Sequence, residues 1–206
     1  LKTNTDLLLI FTRNPELGKC KTRLAAKVGN EAALDIYNFL LGHTVSITEN
    51  LKVDKQVCYS EAIWENDVWN NDTYKKERQE GKDLGERMNH AFEEGFKRGY
   101  ERIIIIGSDM HDLAQNDLEQ AFAMLHQHDF VVGPAEDGGY YLLGMTKLHP
   151  SVFKYKSWGK ETVLKATLTN LTQENYALLP TKNDVDHYED IQHIDAFQPY
   201  LKHMQQ

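Results

Sequence analysis

The chain has 206 residues, a formal net charge of −8, 41% hydrophobic residues and two cysteines. That length suits one domain, residues 1–206, burying roughly 70% of its unfolded surface without a disulfide or zinc staple, and Cys20 and Cys58 form no C-x-x-C pair, as expected of a reducing cytoplasm. The acidic balance argues against a nucleic-acid binder, the apolar run Leu7 to Phe11 is too short to span a bilayer, and no signal peptide is recognisable.

Leu7 to Thr12 predicts a first strand, and Arg13 to Thr22, broken by Pro15 and Gly18, predicts a loop. Ala33, Ile36, Tyr37, Leu40 and Leu41 share one helical face, so a helix is expected from about Glu31 to Ile47, with Asn30 as its N-cap. Val53 to Ser60 reads as a second strand. The polar stretch Glu61 to Asp83 reads as irregular, or as short elements near the site rim. Leu84, Met88, Ala91, Phe92 and Phe96 form an amphipathic stripe that Gly99 ends. The run Ile103 to Ile106 belongs in a strand buried on both faces, as in a parallel sheet. A helix over about Asn116 to His126, strands at Phe130 to Gly133 and Tyr140 to Met145, and a helix marked by Val163 to Leu171 follow. A strand at Tyr176 to Leu179 and a closing helix marked by Ile191, Ile194 and Leu201 complete the pattern. Strands alternating with helices predict an α/β fold with a mainly parallel sheet.

Asp109 carries the most information about function. The Gly107-Ser108 turn ends the isoleucine strand and leaves a carboxylate at the strand's carboxyl end, where open α/β sheets bind ligands. Packing explains an acid there poorly, and a divalent cation explains it well. Mg²⁺ is served by one or two carboxylates plus substrate phosphates and water. A second acid is offered by Asp184-Val-Asp186-His-Tyr-Glu-Asp190, where Asp186 has capping of the closing helix as its plain alternative. The loop after the first strand carries Arg13, Lys19, Lys21 and Arg23 against Glu16 alone. These cations suit phosphate oxygens, Arg as a fork and Lys as a point charge. A solvated basic turn is the bland alternative, and neither a Walker A nor a Rossmann glycine pattern is present. The third segment, Gly133-Pro-Ala-Glu-Asp137-Gly138-Gly139-Tyr140, is either an ordinary hairpin or a close backbone approach to a ligand. Tyr140 is a possible face for a sugar or base, or a core aromatic. Ser108 has no paired histidine, so a hydrolase triad is not expected.

Together these segments resemble a bacterial family of GT-A-like transferases, described as glycosyltransferase-like proteins associated with radical-SAM/selenodomain systems. The resemblance rests on Pro15-x-x-Gly18-x-x-Lys21-Thr-Arg-Leu24, Gln79-x-Gly-x-Asp-Leu-Gly-Glu-Arg-Met88, Gly107-Ser-Asp109 and Gly133-Pro-Ala-x-Asp-Gly-Gly-Tyr-Tyr-Leu143. Trp158-x-x-x-x-Val-Leu164 and Asp184-Val-Asp-x-x-Glu-Asp190 continue it, so it covers nearly the whole chain. It implies the three-layer α/β/α nucleotide-diphospho-sugar transferase (GT-A) fold, with a mixed, mainly parallel sheet. It further implies Asp109 and Asp186 as metal carboxylates for Mg²⁺ or Mn²⁺, and Lys21 and Arg23 as grips on the diphosphate or triphosphate. Asp137-Gly138-Gly139 would frame the base or the acceptor, and Glu86 and Arg87 would form a lid or acceptor-side element. His111 stands where relatives carry proline.

The leading expectation is therefore a metal-dependent transferase acting on a nucleotide-diphosphate sugar, by glycosyl transfer to a small-molecule acceptor. In that reaction the metal held by Asp109 would carry the charge developing on the departing diphosphate, with Lys21 and Arg23 assisting. The runner-up is a nucleotidyltransferase releasing pyrophosphate, which the basic loop and the single Asp favour on physical grounds. A non-catalytic nucleotide-sugar binding protein is the third reading. The base, sugar, acceptor and oligomeric state are not legible.

Overall fold

The computed structural model describes residues 4–205. Its sheet has seven strands: β1 (Asp6–Thr12), β2 (Asp54–Tyr59), β3 (Lys75–Arg78), β4 (Arg102–Gly107), β5 (Phe130–Pro134), β6 (Tyr140–Met145) and β7 (Tyr176–Leu178). They lie in the order β3-β2-β1-β4-β6-β5-β7. Only β6 runs antiparallel to its neighbours; every other pairing is parallel. The fold is the expected mixed, mainly parallel α/β sheet.

The isoleucine strand explains the layering. Ile104 and Ile106 face a core that includes Tyr37 and Leu41 of α2 (Asn30–Thr48) and Leu118, Ala121 and Phe122 of α4 (Gln115–Met124). Ile103 and Ile105 face the opposite core, with Met88, Ala91 and Phe92 of α3 (Leu84–Lys97). Alternation with period two thus feeds two apolar layers from one strand. All four isoleucines are essentially buried, each worth about 1.5–3 kcal/mol of transfer free energy. α5 (Val163–Asn170) and Leu171 lie on the α3 side. A third apolar cluster joins α1 (Thr22–Val28) and the outer side of α2 to Val185, Ile191, Phe197 and Leu201 near the C-terminus.

Three sequence expectations need correction. Thr22, expected at the end of the loop, instead begins α1 (Thr22–Val28), a seven-residue helix too short to show a period. Asn30 is the first residue of α2, and Gly29, at φ 88°, occupies the N-cap position. The closing helix is a series of short turns that includes α6 (Gln198–Leu201), with Pro199 in its first turn, although Ile191, Phe197 and Leu201 are buried. Within the stretch Glu61 to Asp83 the short element is β3, whose Lys-Lys-Glu-Arg sequence pairs with β2 through the backbone at the sheet edge. Among the described residues, no helix is long and apolar enough to cross a membrane.

Candidate active site

The carboxyl ends of β1 and β4 are adjacent, with Phe11 opposite Gly107, so the loops leaving these strands meet on one rim. A buried hydroxyl network joins them. Ser108 Oγ lies 3.0 Å from Thr12 Oγ1 and 3.2 Å from the Tyr37 hydroxyl, which accepts from Arg13 N at 3.0 Å. Tyr37, an apolar-face residue by its helical spacing, therefore anchors the start of the basic loop through its polar tip. Ser108 is consumed by this scaffold, which agrees with the absence of a hydrolase triad.

Lys21 closes the loop. It adopts a left-handed backbone conformation, φ 47° and ψ 45°, immediately before α1. A non-glycine residue there costs roughly 1–2 kcal/mol, and such strain persists where its surroundings hold it. Here the side chain supplies the restraint: Nζ donates to Asp109 Oδ2 at 2.8 Å and to the Val185 carbonyl. The Lys21 side chain is only 6% exposed and that of Asp109 39%. Burial pulls the Lys21 ammonium down, but Asp109 outweighs it, helped by Asp186 and Asp184, so its pKa stands above the usual lysine value. The same pairing overcomes the burial that would raise Asp109 and holds its carboxyl below the usual range. Arg23 Nη1 makes the second cross-link, 2.6 Å from Asp186 Oδ2.

These pairs line a cleft of about 650 Å³. Six cations border it: Arg13, Lys19, Lys21, Arg23, Lys82 and Arg87. Four acids, Glu61, Asp83, Asp109 and Asp186, oppose them, which leaves a cationic mouth on a chain of net charge −8. Lys19 is exposed and pairs with Glu16 at 2.7 Å. The Gln79-to-Met88 motif shapes the opposite side. Gln79 Nε2 donates to the Cys58 carbonyl at 2.8 Å, Asp83 caps α3 at Glu86 N, and Glu86 Oε2 accepts from Lys82 N. Arg87 is steadied by the Gly81 carbonyl at 3.1 Å.

A smaller cavity of about 240 Å³ shares Phe11, Leu84, Gly107 and Asp109 with the cleft. Asp137, Gly139 and Tyr140 line this cavity, so the Asp-Gly-Gly segment faces it and not the basic cleft. Gly138 packs against the Glu161 backbone at φ 85° and lines neither. Among the described residues, the Tyr140 hydroxyl has only the weak partner Met88 Sδ, at 3.8 Å.

Asp109 and Asp186 border the same cleft, so the fold brings together the two acids expected from the sequence. Asp184, on the wall of the smaller cavity, is a third acid close by. Burial, then repulsion by Asp137 and Asp109, pushes its carboxyl up to about 6. Such crowding of acceptor-only oxygens is the chemistry that suits a hard divalent cation. Among the described residues, no three His, Cys, Asp or Glu side chains form a closed metal cage. Asp190 accepts from Asp186 N and His187 N, while Asp186 itself engages Arg23 and caps nothing. His111 stacks with Phe39, meets Phe197 edge-on and borders neither cavity, so it acts in packing. Lys82 and Lys160 had no signal in the sequence beyond their charge.

A model of the family described as an uncharacterized protein conserved in bacteria (DUF2064) matches residues 44–160. No curated protein matches the sequence. Among solved structures, the chain is similar to a Desulfovibrio desulfuricans G20 protein provisionally named a nucleotide-diphospho-sugar transferase. Identity is 29% and the TM-score 0.87, over 98% of this chain and 96% of that one. Rv0371c of Mycobacterium tuberculosis H37Rv, in complex with manganese, is similar at 13% identity and a TM-score of 0.57, over 95% and 97% of the two chains. CMP:2-keto-3-deoxy-manno-octonic acid synthetase complexed with CTP is similar at 10% identity and a TM-score of 0.58, over 94% and 98%. The last two likenesses show the fold alone, and that fold is the nucleotide-diphospho-sugar transferase fold.

Proposed function

The chain belongs to the bacterial DUF2064 family, and from that premise we propose that it is a divalent-cation-dependent transferase whose basic cleft binds a nucleotide and whose reaction modifies a small-molecule acceptor. Between the two chemistries, nucleotidyl transfer from a nucleoside triphosphate fits the cleft better than glycosyl transfer from a nucleotide-diphosphate sugar. The observation that carries this reading is the six-cation cleft closed by Lys21. A triphosphate carries more charge than a sugar-linked diphosphate and uses more of those cations. The CTP bound by the synthetase of the same fold supports the reading.

In this reaction an acceptor oxygen or nitrogen bonds to the α-phosphorus while the bond from that phosphorus to the bridging oxygen breaks. Pyrophosphate leaves with the electron pair, and the acceptor's proton passes to solvent. Lys21 and Arg23 orient the phosphates and stabilise the charge growing on the leaving group, usually a large catalytic contribution. Lys21 is positioned by its own strained backbone, Arg87 by the Gly81 carbonyl. Asp109 and Asp186 would hold Mg²⁺ or Mn²⁺, and the manganese complex of Rv0371c, a protein of the same fold, supports the choice of a divalent cation. When bound, such an ion neutralises phosphate charge as a Lewis acid.

Calorimetric titration with the four nucleoside triphosphates and with UDP-, GDP- and CDP-sugars, each with and without Mg²⁺ or Mn²⁺, tests this. A triphosphate should bind more tightly than any nucleotide sugar, and its affinity should fall at least tenfold with EDTA or in Asp109→Asn. Tighter binding of a nucleotide sugar would return the reading to glycosyl transfer. Nucleotide affinity indifferent to both EDTA and Asp109→Asn would make the chain a binding protein.

A further inference from the structure

The smaller cavity differs from the cleft in both charge and texture, although the two share the Asp109 wall. Phe11, Leu84, Met88, Tyr140, Trp158 and Val163 make most of its surface apolar. Its ionic groups are the acids Asp109, Asp137 and Asp184, and among the described residues Lys160 is the one cation that borders it. We propose, building on the nucleotidyl-transfer reading, that this cavity binds the second substrate, and that this substrate is a phosphate-free small molecule with an apolar, ring-sized body and a hydroxyl or amine end.

Three physical arguments lead to that class. Ionised carboxylates accept hydrogen bonds and donate none, so the polar end of the occupant must bring donors. With Asp109 already neutralised by Lys21, a phosphate or carboxylate placed here would meet Asp137 and Asp184 with Lys160 alone among the described residues to offset them, whereas the neighbouring cleft sets six cations against four acids. The largely apolar walls suit a body that is apolar all round, whereas a polyhydroxylated sugar would stack one C–H face on a ring and leave hydroxyls against the remaining apolar wall. The volume of about 240 Å³ sets the size of that body.

The walls are also fixed in place. A Cβ at Gly85 would meet the Phe153 carbonyl and stand 2.7 Å from the Trp158 ring, so Trp158 lies directly on the head of α3. A Cβ at Gly138 would strike the Glu161 backbone, so the segment carrying Lys160 and Val163 is docked against the Asp-Gly-Gly turn. Leu164 N donates to the Gly138 carbonyl at 2.9 Å and ties the same two segments. Such a preformed pocket binds without paying for loop ordering.

Ligand-observed NMR on the full chain tests the class with named probes: tyramine, 2-phenylethanol, glucose 1-phosphate and inorganic phosphate. Tyramine and 2-phenylethanol should bind, and both should weaken at least tenfold in Trp158→Ala. Asp137→Asn keeps the oxygen that accepts from Gly139 N, so it should fold normally; it should weaken tyramine severalfold and 2-phenylethanol less. Tighter binding of glucose 1-phosphate than of both apolar probes, or apolar binding indifferent to both variants, overturns the proposal. A parallel titration with nucleoside triphosphates and Mg²⁺ separates the two levels. Loss of nucleotide binding alone sinks the transferase reading, whereas failure of the apolar probes beside normal nucleotide binding sinks only the substrate class.

Discussion

Lys21 and Asp109, 88 positions apart in sequence, meet at 2.8 Å on the rim of the sheet. Arg23 and Asp186 repeat the arrangement at 2.6 Å. The acids assigned to a cation and the bases assigned to phosphate thus neutralise one another across the cleft. Under the proposed function, nucleotide binding would be an exchange of partners, with the basic side chains turning to phosphate oxygens and the carboxylates to a cation.

Removing one member of the buried pair tests how tightly it is coupled. Asp109→Asn leaves the nearly buried Lys21 ammonium with the Val185 carbonyl and only the more distant charges of Asp186 and Asp184. An uncompensated buried charge costs about 3–5 kcal/mol in favourable cases, and the partial exposure of Asp109 brings the expected loss to about 2 kcal/mol. Urea unfolding should register it. The double variant Lys21→Met/Asp109→Asn should lose less than the two single variants together, because it strands neither charge.

The Lys21 backbone makes a separate claim. Alanine at position 21 removes the ammonium and keeps the left-handed penalty, whereas glycine removes both. Lys21→Gly should therefore be more stable than Lys21→Ala by about 1 kcal/mol, the reverse of the order in a helix interior. Both should bind nucleotide poorly. Equal stabilities in thermal unfolding would mean that the turn relaxes once the side chain is gone.

The alkaline limb of stability should report on Cys58. Burial pushes its thiol up to about 12, opposed only weakly by the Gln56 amide. In the unfolded chain a thiol ionises near pH 8.5. Between about pH 8.5 and 10 the folded state therefore holds the proton that the unfolded state releases, and stability falls as pH rises. The steepest contribution of one such group is about 1.4 kcal/mol per pH unit. Cys58→Ala should flatten that slope whatever it does to stability at pH 7. In the native protein, Cys58 should resist alkylation at pH 8 until denaturant is added.

Much of this architecture was legible because its signals are local and physical. Six strands and the helices α2 to α5 follow from runs and periods of apolar residues, and the isoleucine strand placed Asp109 on the ligand rim unaided. β3 was not legible, because Lys-Lys-Glu-Arg at a sheet edge is held by backbone pairing and carries no apolar period. α1 is too short to display a helical period. The C-terminal residues kept the helical spacing of Ile191, Ile194 and Leu201 but not the helix, because Pro199 and tight turns meet the same burial differently. In the site, charge identified Arg13, Lys19, Lys21 and Arg23, yet no pattern could say that Lys21 is buried and strained. Nor could it assign the Asp-Gly-Gly turn to the second cavity, a matter of β6 lying antiparallel between β4 and β5. Tyr37 was hidden for a related reason: its ring belongs to the core and only its hydroxyl to the site.

Gly85 gives a test in which two effects of opposite sign compete. Glycine to alanine in a helix ordinarily stabilises by roughly 0.8–1 kcal/mol. At Gly85 the added Cβ would press on the Phe153 carbonyl and lie 2.7 Å from Trp158, and overpacking of this kind costs about 1–3 kcal/mol. A backbone carbonyl yields less readily than a side-chain tip, so the clash should win and Gly85→Ala should be destabilised by about 1–2 kcal/mol. Trp158 is the group that can move, and its displacement would open the wall of the smaller cavity. Tryptophan emission should therefore shift to the red in Gly85→Ala relative to wild type, and the shift should vanish in a Trp158→Phe background. A stabilised Gly85→Ala with unchanged emission would show that the head of α3 is packed more loosely than these distances require.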